Sequence, residues 1–426
     1  MPDPPEGPRY FPRVLDGGPP SEVAREIEAT DSDPEGVGIM VRKARIYPVR
    51  VEEVPLKAAP LLKQELLAVG GDAAHARGIA DHSVATSPAV LLATWAQYQH
   101  LLPKLRRQPF GLRRLADEVE RALRAYAGRA PSALAAARRQ LPLGARPRVL
   151  GVVNVTPDSF SDGGRFLDPG AAVAQAEKLV ADGADAIDLG AESTRPGATP
   201  VPPEEEWSRL EPVLAELARR LAVPISVDTR HAEVARRALE SGADIVNDVE
   251  GLRDPAMRTV VAERGAAAIL MHLRGSPATM QREPPSDDIR REVYRDLATA
   301  VGAAEAAGIP PERLAVDPGL GFGKTSEESL ELLAHVGELR SLGRPVVVGA
   351  SRKSFLGWAT GEAEPLARVD AGVAAAVHAA EQGVAIVRTH DVGPTVRALR
   401  LWERIELARR RAPRSAEGRA AAEVDL

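Results

Sequence analysis

The chain has 426 residues, 44% of them hydrophobic but only 4% aromatic, and a formal net charge of −5. It has no cysteine, which excludes disulfides, thiolate metal sites and Cys nucleophiles, and its mild acidity gives no global electrostatic basis for binding nucleic acid. At roughly 100–200 residues per domain, the length suits an α/β barrel of about 250 residues with one smaller domain.

Residues 1–36 carry eight prolines and nine Asp/Glu against three Arg. Such a segment buries little and reads as a flexible acidic arm, with a short helix near Glu22–Glu28. Its first residues, MPDPPEGPRY, lack the apolar stretch of a signal peptide. No run of about 18 apolar residues occurs anywhere, so no membrane-spanning helix is expected, and a cytoplasmic location is.

Residues 37–130 read as a small α/β domain. GVGIMV and ARIYPVRV are expected strands. AAPLLKQELLAVGG is an expected helix that stops at Gly70 and Gly71. SPAVLLATWAQYQHLL and GLRRLADEVERALRAYAG are two further expected helices. Residues 100–148 hold twelve Lys/Arg and three Asp/Glu. They read as solvated helix faces and a basic linker, the alternative being a docking surface for an acidic partner or RNA. Pro131, Pro142, Gly144 and Pro147 mark residues 131–147 as that linker.

From residue 148 the pattern alternates. β-rich runs occur at VLGVVNV, AIDLG, ISVDT, DIVNDV, AAILMH, LAVDPG, VVVGAS and AIVRTH. Helical stretches such as AAVAQAEKLVADGA, EEEWSRLEPVLAELARRL and HAEVARRALESGA lie between them. Eight alternations predict a (β/α)8 barrel, a TIM barrel, over 148–409, with a flexible tail at 410–426. A doubly wound sheet is the runner-up, but no G-x-G-x-x-G follows the first strand.

Active sites of such barrels lie at the carboxyl ends of the strands. Asn154 ends the first expected strand, and Glu192 to Arg195 follow the second. Asp228, Asn247 with Asp248, His272 and Asp317 end the next four. Ser351 to Lys353 follow the seventh, and Arg388 and His390 end the eighth. Carboxylates and an amide thus stand with cations, a set that matches a ligand with a flat donor-rich edge and an anionic tail. A pterin diphosphate has both. Alone, Asp228 is equally a helix cap and Lys353 a surface lysine. His272 and Met271 read at least as well as core. Gly319, Gly321 and Gly323 lack phosphate-loop spacing and read as a tight turn.

The motifs NVTPDSFSDGG, GAESTRPGA, SVDT, NDVEG, LMHLRGSPATMQ, VDPGLGFGKT, GASRKSF and RTHDV stand in order over about residues 148–400, and this region resembles dihydropteroate synthase. The resemblance implies joining of 6-hydroxymethyl-7,8-dihydropterin diphosphate to p-aminobenzoate with release of pyrophosphate, in folate biosynthesis, with Mg2+ as cofactor. It implies catalytic roles for Lys353, Arg388, Asp317 and Arg195. Pterin contacts would come from Asp228, Asn247, Asp317, Met271, Lys353, Phe322 and Gly349. Asn154, Thr194, Arg388 and His390 would hold the diphosphate, Asn154 through the metal. Phe160, Thr194, Arg195, Pro196, Phe322 and Ser354 would form the p-aminobenzoate site, which sulfonamides mimic. The resemblance also implies a homodimer with small-molecule substrates only. A methyltetrahydrofolate:corrinoid methyltransferase shares the pterin edge but needs no diphosphate site. A silent binding protein on the same barrel would lack such residues as Lys353 or Asp317. Two departures from the family pattern stand out, Glu250 and the segment REPPSDD after Gln281. Residues 1–147 lie outside the resemblance.

Overall fold

The computed structural model describes residues 20–128, 131–155, 169–192, 201–276, 279–280 and 283–410. The described residues form two compact units, one drawn from residues 20–123 with 406–410 and the other from residues 124–405.

The first unit contains helices α1 (Pro20–Glu28) and α2 (Pro34–Val41), strand β1 (Ile46–Pro55), α3 (Ala59–Leu67), β2 (Asp72–His75), β3 (Thr86–Thr94) and α4 (Trp95–Leu105). Helix α5 (Leu112–Ala127) runs across the boundary of the unit. The three strands form an antiparallel sheet in the order β1-β3-β2. Two expectations are corrected here. Residues 36–41 are not a strand but the body of α2. Asp33 Oδ1 accepts the N–H groups of Glu35 and Gly36 at 2.9 and 3.3 Å, and Pro34 opens the helix; this start signal outweighs the short apolar run. Residues 87–94 are not helical but form β3. Ser87, Ala89, Leu91 and Ala93 are buried in strict alternation, which is the period of a strand. The helix begins only at Trp95, where Thr94 and Gln97 form a reciprocal capping box.

The second unit is the expected barrel. Its parallel strands are β6 (Arg148–Asn154), β7 (Ala186–Gly190), β8 (Ile225–Asp228), β9 (Ile245–Asp248), β10 (Ala267–Met271), β11 (Leu314–Asp317), β12 (Val347–Gly349) and β13 (Ile386–Thr389). They run in one eight-stranded sheet, β11-β10-β9-β8-β7-β6-β13-β12. A parallel bridge between Val316 and Val346 joins β11 to β12 and closes the cylinder. The outer layer holds α6 (Pro169–Ala181), α7 (Pro203–Arg220), α8 (Ala232–Glu240), α9 (Pro255–Arg264), α10 (Ile289–Ala306), α11 (Ser326–Ala334), α12 (Ser354–Thr360), α13 (Val369–Glu381) and α14 (Val392–Arg410). Ala, Val and Leu fill the layer between strands and helices, as the low aromatic content requires.

The expected linker at 131–147 is instead a built part of this unit. Ala133–Leu134 (β4) pairs antiparallel with Leu141–Pro142 (β5). Leu134 and Leu141 are buried against Leu150, Ala186, Ile245, Ala267, Ile269, Ala315, Val347 and Ile386, which line the barrel's lower interior. Arg139 fixes the hairpin from outside, its backbone N–H and Nη1 donating to Asp244 at 3.0 and 3.1 Å. Pro142 lies within β5, and Pro131, Gly144 and Pro147 flank the paired segments of this plug rather than marking a free connection.

Candidate active site

Side chains alternate along a strand, so the apolar plug contacts also fix which residues face the barrel axis higher up. Two residues beyond Ala186 stands Asp188; two beyond Ile245, Asn247; two beyond Ile269, Met271. The same step takes Ala315 to Asp317, Val347 to Gly349 and Ile386 to Arg388, while Leu150 leads through Val152 to Asn154. The lower interior is therefore apolar and the upper interior polar. One sequence period produces both the core and the site.

Arg388 is the centre of the polar layer. Its Nε donates to Asp188 Oδ2 at 2.6 Å and its Nη2 to Asp228 Oδ2 at 2.8 Å. Burial works against the guanidinium's charge, but the Asp188 and Asp228 carboxylates outweigh it and hold its pKa above the ordinary value. Asn247 Nδ2 donates to the same Asp188 oxygen at 3.1 Å. Burial pushes the Asp228 carboxyl well up from its usual range, with Arg388 pulling it back.

Asp317 and Lys353 face this cluster from the other side of the barrel. Asp317 Oδ1 accepts the Gly319 N–H at 2.7 Å. Burial raises its pKa against the opposing pull of Lys353 and that N–H. The Lys353 ammonium donates to the Leu320 carbonyl and lies 4.3 Å from the centre of the Phe322 ring. Burial lowers its pKa to about 8. The three glycines form the expected turn. Gly319 has φ +63°, and a Cβ there would sit 2.0 Å from the His272 carbonyl oxygen, so no other residue fits. Lys324 clamps the turn, donating to the carbonyls of Gly319 and Phe322 at 2.9 Å and of His272 at 3.2 Å. Burial lowers its pKa to about 7.

On the anion side, His390 stands between two partners. Its Nδ1 is 3.2 Å from Ser351 Oγ and its Nε2 is 3.5 Å from Asn154 Nδ2. Ser354, expected beside the arylamine, opens α12 and is exposed. Met271 is buried with 7% exposure at the end of β10. His272 is also buried; burial and the neighbouring Lys324, Arg253 and Arg274 lower its pKa to about 2, so it is a neutral core residue. Phe160, Thr194, Arg195 and Pro196 lie outside the described residues. The structure thus brings together Asn154, Asp228, Asn247, Met271, Asp317, Phe322, Gly349, Lys353, Arg388 and His390 at one end of the barrel. Asp188 and Lys324 join them, and the sequence reading passed over both. Asp188 had a signal: it follows Ala186 by two in a strand buried throughout.

The two departures have structural partners. Glu250 stands 3.8 Å from Arg230, which binds Glu192 through Nε and Nη2 at 3.1 and 3.2 Å. Glu192 in turn accepts the Val201 N–H at 3.2 Å. Within the altered segment, the Ser286 N–H donates to Glu328 Oε1 at 2.6 Å, and Asp288 caps α10.

Comparison with known proteins agrees with this architecture. Residues 150–390 match the family model described as pterin binding enzyme. A probable bifunctional folylpolyglutamate synthase/dihydropteroate synthase of Halobacterium salinarum is 43% identical over 378 residues, 88% of this chain. The chain spans only 45% of that relative's length. The dihydropteroate synthase of Neisseria meningitidis serogroup C is 47% identical over 262 residues, 61% of this chain and 92% of its own. Among solved structures, Xanthomonas albilineans dihydropteroate synthase with 4-aminobenzoic acid superimposes with a TM-score of 0.61 at 47% identity, covering 65% of this chain and 98% of that one. The Halobacterium relative matches beyond the barrel, which alone accounts for its wider coverage of this chain. With the barrel, the polar layer and these likenesses in agreement, the chain belongs to the dihydropteroate synthase family of pterin-binding enzymes.

Proposed function

We propose that this chain joins 6-hydroxymethyl-7,8-dihydropterin diphosphate to p-aminobenzoate, releasing pyrophosphate. The observation that carries the reading is the convergence of Asp228, Asn247 and Asp317 with Lys353 and Arg388 on one polar layer above an apolar interior. Carboxylates and an amide suit the donor-rich edge of a pterin, and buried cations suit its diphosphate. The carbon–oxygen bond at the pterin methylene breaks, and the electron pair leaves on the diphosphate oxygen. The pterin ring delocalises the resulting positive charge. The arylamine nitrogen then forms the new carbon–nitrogen bond and loses one proton. No protein nucleophile is needed. Arg388 and His390 would stabilise the departing anion, and Lys353 with Asp317 would hold the ring in line.

Asn154 suits a magnesium ion. Among the described residues its Oδ1 accepts no hydrogen bond, and a single neutral oxygen is the kind of sparse protein ligand Mg2+ takes beside water and phosphate oxygens. Bound there with the diphosphate, the ion would supply charge neutralisation of the leaving group. Phe160, Thr194, Arg195 and Pro196 would close the arylamine pocket with Phe322 and Ser354. A homodimer, a cytoplasmic location and small-molecule partners alone complete the proposal. Among the described residues, no helix is long and apolar enough to cross a membrane.

The test is turnover of the full chain with dihydropterin diphosphate and p-aminobenzoate, with and without Mg2+. Dihydropteroate should form, and a sulfonamide should inhibit in competition with p-aminobenzoate. A folded protein that binds the pterin diphosphate yet forms no dihydropteroate would refute the reading.

A further inference from the structure

We propose that Asp188 is the positioning residue through which the pterin and anion halves of this site are coupled; the inference rests on the function proposed above. Asp188 is wholly buried, and its Oδ2 serves two donors at once, Arg388 Nε at 2.6 Å and Asn247 Nδ2 at 3.1 Å. One donor belongs to the expected anion side and the other to the pterin edge. An oxygen shared in this way ties the position of each donor to that of the other. Among the described residues the second oxygen, Oδ1, is buried without a hydrogen-bond partner, and these two donors hold the carboxylate.

Arg388 has a second carboxylate partner, and the two differ. The side chain of Asp188 has no exposed surface, whereas that of Asp228 retains 16%. Asp188 lies one step deeper in the barrel, opposite Val152 and Ser226, while Asp228 pairs with Gly190 and Asn247 near the rim. The deep contact is therefore the pivot and the rim contact the exchangeable one. When a pterin engages Asp228 and Asn247, the Nη2 end of Arg388 is released toward the anion site, while Nε stays on Asp188. The anion site is completed by occupancy of the pterin site, and the reverse follows by linkage.

The experiment is calorimetry on the full chain with 6-hydroxymethylpterin and inorganic pyrophosphate as probes, each titrated with and without the other, for the natural protein and Asp188→Asn. Pyrophosphate should tighten pterin binding about tenfold in the natural protein, within the range usual for coupled sites. In Asp188→Asn the factor should fall to about 2 or less, while the melting temperature stays within a few degrees. A merely structural residue would lower the melting temperature and leave the coupling factor in place; that result overturns the inference. So does a coupling factor near one in the natural protein. Asp188→Ser is the second variant, and if neither variant folds, Asp188 is a residue of the core and the inference fails. Absence of pterin binding in the natural protein would instead overturn the proposed function.

Discussion

Arg388 and Asp228 form an ion pair across the mouth of the barrel, Nη2 to Oδ2 at 2.8 Å, from strands that stand on either side of β6 and β7. The cation expected to hold a diphosphate and the carboxylate expected to hold a pterin are thus partners of each other. Replacing either changes two things, the site and the charge balance beneath it.

Arg388→Met should therefore lower both activity and stability. Asp188 would be left as a buried carboxylate with only Asn247 for company, and breaking a buried pair from one side costs about 3 kcal/mol or more. Turnover should fall at least about 100-fold with loss of the anion-stabilising charge. In Arg388→Met/Asp188→Asn, denaturation should show much of the stability restored and the assay no activity restored. A single variant as stable as the natural protein would contradict this.

Lys353→Met should spare the fold and weaken pterin binding about 10- to 100-fold, a loss of roughly 1.5–3 kcal/mol for a hydrogen bond to a charged group. The pKa of Lys353 is lowered from 10.5 to about 8. Between these values the unfolded chain binds more protons than the folded one, so this group makes stability rise with pH through that window and contributes no such slope below it. Ligand binding has the opposite sign, because the ammonium that faces the ring is lost as pH passes about 8. Pterin affinity by fluorescence titration should fall above that pH in the natural protein and stay flat in Lys353→Met.

Asp317→Asn should cripple pterin binding while sparing the glycine turn. The amide oxygen still accepts the Gly319 N–H, but one acceptor of the pair facing the ring becomes a donor. Affinity should drop about 10- to 100-fold, read by calorimetry. Gly319→Ala makes the contrast: its Cβ would collide with the His272 carbonyl, so it should destabilise the barrel itself.

Removing residues 1–123 should leave the chemistry intact, because each assigned residue lies at or after Asn154. The start point matters. A chain beginning at residue 141 lacks Leu134, half of the hydrophobic plug. It should be less stable than one beginning at residue 124, by an amount comparable to Leu134→Ala, about 2–5 kcal/mol. Comparing denaturation midpoints and kcat/KM of the two chains checks this. A loss of more than about 100-fold in kcat/KM by the longer, folded chain would place a contribution to catalysis upstream of residue 124.

Much of the barrel was legible because each strand is a short buried run, and five of the eight end in a polar residue, Asn154, Asp228, Asp248, Asp317 or Thr389, so element and site are read from the same letters. Asp188 escaped for the same reason: it lies inside a strand, and only strand exits were read as functional. The first unit was harder. SPAVLLATWAQYQHLL contains a strand and a helix with no break in its apolar content, and the boundary is a cap made by Thr94 and Gln97 rather than a proline or glycine. GVGIMV is too short for period to decide, and Asp33 decided it from outside the run. The plug was read as a linker because strands of two residues have no period at all. Their burial is set by the barrel floor, far away in sequence.

The bridge between Val316 and Val346 gives the cylinder a seam. Every other neighbouring pair of barrel strands shares at least three paired positions, but β11 and β12 share this single bridge. Local opening should begin there, and amide hydrogens along β11 and β12 should exchange ahead of those of β7 and β8. Asp317 and Lys353 emerge on opposite sides of that seam. A pterin held by both would act as a stitch across it, so bound ligand should slow exchange most where the unliganded barrel is quickest to open.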